Sequence, residues 1–359
     1  MSPGSLLLLG ITGTELTPEE AARFRKLQPA GYILFSRNIE TAQQTRQLTD
    51  DLRSLHSEEP LIAIDQEGGR VERTSAIAAS MPSAPRLAAQ ANFPNISDAA
   101  SLSGKMLNLL GINFNLAPVL DLEHFPGAHN ALTSRCWGRD PQRVIDFAGY
   151  WNRTHRKQGI ATCGKHFPAG GRATSDPHHD LPSCGESIDT LLREDIIPYT
   201  ALITEIDAVM LAHISFPAID PDLPASLSPR LIRDLLRNQL GFDHHLVLTD
   251  DLDMQAIGKR YGRGEDARLA ILAGADLALI CHRSETADLA AKAISSLPTQ
   301  LLDEALDRVE LFRRRKITAP PAWSDQNWQQ LHEQIGRFCS DYCTPDAPND
   351  ENSSPVESY

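Results

Sequence analysis

Residues 245–281 read HLVLTDDLDMQAIGKRYGRGEDARLAILAGADLALIC, in which two short apolar runs, HLVLTD (245–250) and DLALIC (276–281), flank a longer helix-like stretch. Near-continuous runs of Val, Leu and Ile are the mark of strands buried on both faces. Outward from this stretch the pattern recurs as SLLLLGI (5–11), GYILF (31–35), LIAID (61–65), INFNLAP (112–118), IATCGKHF (160–167) and DAVMLAH (207–213). Eight β-α repeats predict an α/β fold of the (β/α)8 TIM-barrel type in a single domain. A doubly wound open sheet would carry a Gly-rich phosphate turn after an early strand, and none is present. Thr17-Pro18-Glu19-Glu20 and Ser228-Pro229-Arg230 read as helix starts, Gly241 as a stop, and LLDEALDRVELFRRRK (301–316) as an amphipathic helix closing the barrel. The domain is expected to span 1–343, with closing C-terminal helices. The polar, acidic, Pro-rich segment 344–359 is expected to be a disordered tail.

Composition narrows the function. The 359 residues hold 34 Lys+Arg against 47 Asp+Glu, a net charge of −13, with four of the surplus acids in the last 16 residues. An acidic chain is not expected to bind nucleic acid or an anionic membrane, and no apolar run approaches bilayer length. MSPGSLLLLGITGTE (1–15) has no Lys or Arg ahead of its leucines. It reads as a buried strand of a cytoplasmic protein and not as a signal peptide. Six scattered cysteines, Cys339 and Cys343 included, fit reduced thiols better than a disulfide framework.

Ionisable residues fall at the ends of the runs: Asp65, Lys165-His166, His213 and Asp250-Asp251. In a barrel those ends share one rim, where the chemistry of such enzymes lies. Two long insertions, 119–140 and 168–184, belong to the same rim and read as binding loops or lids. A metal-dependent hydrolase using His166, His178, His213 and Asp250 would also want His-x-His at the end of the first strand. Leu9-Gly10-Ile11-Thr12 supplies none, so neither metal nor cofactor is expected.

These residues also carry a resemblance. Asp65–Arg73 (DQEGGRVER), Ala117–Asp121 (APVLD), Arg135–Pro141 (RCWGRDP), Lys165–Pro168 (KHFP), Asp176–His178 (DPH) and Thr249–Met254 (TDDLDM), with GYILFSRN at 31–38, resemble glycoside hydrolase family 3. The likeness is to its single-domain β-N-acetylglucosaminidases of peptidoglycan recycling and covers about residues 5–315. It implies a retaining hydrolase that removes terminal GlcNAc from muropeptides through a covalent glycosyl-enzyme. Asp250 would be the nucleophile, with adjacent Asp251 its rival. His178 would be the acid/base with Asp176 as partner, and His179 is the local rival. Asp65, Arg73, Arg135, Lys165 and His166 would bind the sugar, although ion pairs of Arg73 and Arg135 with Asp65 or Glu67 are the plainer reading of those arginines. The protein is expected to be a monomer. A family 3 phosphorylase, a broader β-glycosidase and a sugar-binding pseudo-enzyme are the alternatives. Two departures stand out. The family's usual Lys-His-Phe-Pro-Gly-His-Gly is Lys-His-Phe-Pro-Ala-Gly-Gly here, with Gly170 at the second histidine, and its Asp-Ser-His has Pro177 in the middle. Both imply an altered loop.

Overall fold

Each of the eight runs forms a strand in the computed structural model, which describes residues 2–126, 131–173 and 181–342. The strands are β1 (Leu7–Gly10), β2 (Gly31–Leu34), β3 (Leu61–Ile64), β4 (Phe114–Asn115), β5 (Ala161–Phe167), β6 (Ala208–Leu211), β7 (Leu246–Asp251) and β8 (Leu277–Ile280). They pair in parallel in sequence order, and β8 closes on β1 with Leu8 opposite Leu279. The apolar runs are continuous because both faces are covered: side chains such as Leu8, Ile62 and Val247 are fully buried between barrel interior and outer helices. Nearly all of this apolar material belongs to one contiguous core.

The helix signals work as local chemistry requires. Thr17 Oγ1 accepts from Glu20 N–H at 3.2 Å, and Glu20 Oε2 accepts from Thr17 N–H at 3.1 Å, a reciprocal cap on the Pro18–Leu27 helix. Ser228 Oγ accepts from Leu231 N–H at the head of the Arg230–Gln239 helix, and Gly241 takes the positive φ of 84° that follows it. Residues 301–316 lie in the Thr299–Lys316 helix.

One element lies beyond those expected. A hairpin, Gln66–Gly68 with Val71–Glu72, follows β3 and turns through Gly68 and Gly69, both at positive φ. A last helix, Asp325–Tyr342, packs on the Phe93–Leu109 helix. Of the cysteines, Cys136, Cys163, Cys184, Cys281 and Cys339 are buried thiols outside any disulfide. Cys343 and the 344–359 segment lie outside the described residues. No helix among the described residues is long and apolar enough to cross a membrane.

Candidate active site

The C-terminal strand ends converge on one cleft with about 820 Å³ of empty space including its mouth, and Asp65, Arg73, Arg135, Lys165, His166, His213 and Asp250 all line it. The seven come from the ends of β3, β5, β6 and β7, the hairpin and the 119–140 insertion. The sequence-derived sugar-binding set is therefore together in space. His178 and Asp176, and their rival His179, lie outside the described residues.

Asp65 and the hairpin begin the site. Gln66 N–H donates to Asn115 Oδ1 at 3.0 Å and Asn115 Nδ2 returns a bond to Gln66 O at 3.0 Å, so the hairpin is fixed to β4 as it leaves the barrel. That placement delivers Glu67 inward. Lys165 Nζ lies 2.6 Å from both Asp65 Oδ1 and Glu67 Oε1. Arg135 forks onto Glu67, Nε to Oε2 at 2.9 Å and Nη2 to Oε1 at 2.8 Å, the planar bidentate geometry only arginine offers. Burial alone would raise the Glu67 carboxyl, but the Arg135 and Lys165 charges outweigh it and hold the group well below the usual carboxylate range. Burial would likewise depress Lys165, and the negative charges of Asp65 and Glu67 reverse the direction. The ion pair anticipated between Arg135 and Glu67 is present, and both partners are buried rather than exposed on the rim. Arg73 stands 3.9 Å from Asp65, its guanidinium over the Phe35 ring at 5.4 Å.

Asp121, quoted in the sequence but given no role, organises the next side chain. Its Oδ2 accepts from His166 Nδ1 at 2.7 Å and from His166 N–H at 3.0 Å, and its Oδ1 accepts from Gly171 N–H at 3.2 Å. Arg135 Nη2 donates to His166 Nε2 at 3.4 Å, which fits a neutral ring with its proton on Nδ1. Gly170 has a physical basis here: a Cβ on it would sit 2.8 Å from Asp121 Oδ1. The carboxylate that holds His166 occupies the space a side chain at 170 would need.

The two acids ending β7 have separate environments. Asp250 is partly exposed and lines the cleft, and its Oδ1 accepts from Asp251 N–H at 2.8 Å. Asp251 is buried, its Oδ1 accepting from Asp253 N–H at 2.9 Å and Cys281 N–H at 3.2 Å. Burial, with the neighbouring Asp253 charge, pushes the Asp251 carboxyl up. Around the 168–184 insertion, Arg172 binds Asp195 at 2.7 Å and Glu194 at 2.5 Å, while Cys184 N–H donates to Ser215 O at 2.8 Å. His124, Glu194 and Asp195 are close enough together to hold a cation, but Arg172 already supplies one.

A closed β/α barrel with paired carboxylates and cations and a hydrogen-bonded histidine at its C-terminal rim has the architecture of a barrel enzyme with a polar binding cleft. Residues 6–311 match the family described as the glycosyl hydrolase family 3 N-terminal domain, and the chain belongs to that family. It is 36% identical over 298 residues to a beta-hexosaminidase of Pseudomonas aeruginosa, covering 81% of this chain and 86% of that protein. A family 3 β-N-acetylglucosaminidase of Paenibacillus sp. superposes with a TM-score of 0.85 at 33% identity, over 94% of this chain and 68% of that one. NagZ of Neisseria gonorrhoeae, solved with N-trifluoroacetyl-D-glucosamine, gives 0.77 at 27% identity over 94% and 98%.

Proposed function

We propose that the protein is a retaining exo-β-N-acetylglucosaminidase of the cytoplasm that removes terminal GlcNAc from muropeptide and anhydromuramyl fragments, acting as a monomer without metal or cofactor. The observation that carries this reading is the unequal treatment of the two β7 acids. Asp250 faces the cleft with a partly exposed carboxylate, whereas both backbone donors near Asp251 bind the latter's carboxyl inside the protein. A nucleophile needs an accessible oxygen, and of the two β7 acids it is Asp250 that lines the cleft, which supports its assignment.

In the proposed reaction Asp65, Arg73, Arg135, Lys165 and His166 grip the hydroxyl and acetamido oxygens of the terminal sugar. Asp250 attacks the anomeric carbon while His178, held by Asp176, protonates the departing glycosidic oxygen. Water then attacks the glycosyl-Asp250 ester with His178 taking its proton, so the configuration is retained. A histidine near its ordinary pKa suits both steps at neutral pH. Relatives named as hexosaminidases and a relative holding a glucosamine derivative support the substrate class.

The test is trapping with a 5-fluoro N-acetyl-β-glucosaminide, followed by peptide mapping of the labelled carboxylate. The label is expected on Asp250, and Asp250→Ala should remove both label and turnover. Label on Asp251, or release of sugar 1-phosphate in phosphate buffer, would overturn the reading.

A further inference from the structure

His213, at the end of β6, lies in the cleft wall yet has no part in the sugar-binding cluster or the proposed proton transfers. It is 1% exposed. Its Nε2 is 2.9 Å from the backbone carbonyl oxygen of Asp251, and its Nδ1 is 2.7 Å from Ser226 Oγ. A carbonyl can only accept, so Nε2 carries the proton. In the neutral ring Nδ1 then accepts from the Ser226 hydroxyl, and the tautomer and ring plane are both fixed. Ser226 is itself fully buried, in the Ala225–Leu227 turn that is tied to the segment following β6 by Ala225 N–H to Ile214 O at 2.8 Å.

On the other side of the ring is the residue that holds the Asp250 side chain. The Asp251 N–H binds Asp250 Oδ1, the Asp251 carboxyl takes two backbone amides, and the Asp251 carbonyl takes His213. These bonds fix Asp251 on three sides, and its N–H in turn sets the direction of the Asp250 carboxylate.

We propose that His213, backed by Ser226, is a positioning residue that sets the attack geometry of Asp250 by holding the backbone of Asp251, whose carbonyl it binds and whose N–H binds Asp250 Oδ1. The inference rests on the reading of Asp250 as nucleophile. It requires no contact between His213 and the sugar and no proton transfer by its ring.

The test uses the full-length enzyme with an aryl N-acetyl-β-glucosaminide, and free N-acetylglucosamine as a competitive probe of the sugar site. His213→Leu removes the donor to Asp251. It should lower kcat on the order of 100-fold, the size expected for a misplaced reacting group, while the inhibition constant of N-acetylglucosamine stays within about twofold, since ground-state binding is untouched. His213→Gln, whose amide nitrogen reaches the Nε2 position, should recover most of the loss, and Ser226→Ala should show a smaller fall in kcat alone. A folded His213→Leu with wild-type kcat would overturn the proposal. So would a loss of N-acetylglucosamine binding parallel to kcat, which would make His213 a ligand contact. Loss of one limb of the pH profile without rescue by Gln would make it a proton donor and likewise defeat the proposal. If His213→Leu does not fold, Gln and Ser226→Ala carry the same comparison. Asp250→Ala in the same assays separates the two readings. Activity there removes the nucleophile assignment, whereas an inactive Asp250→Ala beside an unaffected His213→Leu removes only the role of His213.

Discussion

Glu67 balances the charge of the site. Two cations, Lys165 and the Arg135 fork, meet on its two oxygens, and its side chain is 5% exposed. Ions so deeply placed are tolerable only while every partner is present. Glu67→Ala should therefore lower stability by roughly 3–5 kcal/mol in urea unfolding and raise KM for the aryl glycoside, because Lys165 and Arg135 lose the acceptor that aims them. Unchanged stability would mean that the cluster is solvated and that its geometry does not matter. The sequence marked Glu67 only as an ion-pair partner for arginine. What it could not supply is the depth, because the pairing joins residues 68 apart through a hairpin whose pattern is too short to read. Asp121 went unassigned for a related reason: its function comes from facing His166, 45 positions away on the next strand. The strand-end acids and bases were legible because a parallel barrel carries every such end to the same rim.

Among the elements, the turn at Gly170–Arg172 shows how the departure from the family pattern is accommodated. A Cβ on Gly171 would lie 1.9 Å from the Leu122 carbonyl oxygen, which is backbone and cannot swing aside. A Cβ on Gly170 meets instead the Asp121 carboxylate, the end of a side chain, although one holding His166 in place. Gly171→Ala should accordingly destabilise the protein by about 2–3 kcal/mol, the upper range for overpacking. Gly170→Ala should have a smaller effect on stability and act mainly on KM through His166. Equal melting temperatures for the two variants would refute this ordering. The altered loop expected from Gly170 and Pro177 has this much physical content among the described residues: the turn's first glycine is packed on Asp121. All eight strands were readable because doubly buried strands leave long apolar runs. The bounds of the Asp325–Tyr342 helix, one of the closing helices, were not, since only Leu331, Ile335, Cys339 and Tyr342 of its 18 residues are buried.

At the scale of the whole molecule, one buried histidine links the outer helices to the barrel and to the hairpin that carries Glu67. His155, fully buried in the Pro141–Arg156 helix, places Nδ1 3.0 Å from Ala100 O on the Phe93–Leu109 helix and Nε2 3.2 Å from Asn115 Nδ2 on β4. Ala100 O only accepts, so Nδ1 carries the proton and Nε2 accepts from Asn115, whose amide also holds Gln66. A second proton would set donor against donor at Asn115. Burial accordingly depresses the imidazole from 6.5 to about 4, with the Ala100 bond opposing only in part. The unfolded chain takes up this proton below 6.5 while the folded one refuses it until about 4. The contribution is therefore complete above 6.5 and is lost as pH falls through that window, worth up to about 3 kcal/mol at roughly 1.4 kcal/mol per pH unit. His155→Asn keeps a donor toward Ala100 but does not titrate. It should be less stable than the wild type at pH near 7, and the gap in urea-unfolding free energy should narrow steadily as pH is lowered toward about 4. Parallel curves for the two proteins would show that His155 is charged within the fold, and would break the proposed link between acid lability and the helix–barrel–hairpin connection.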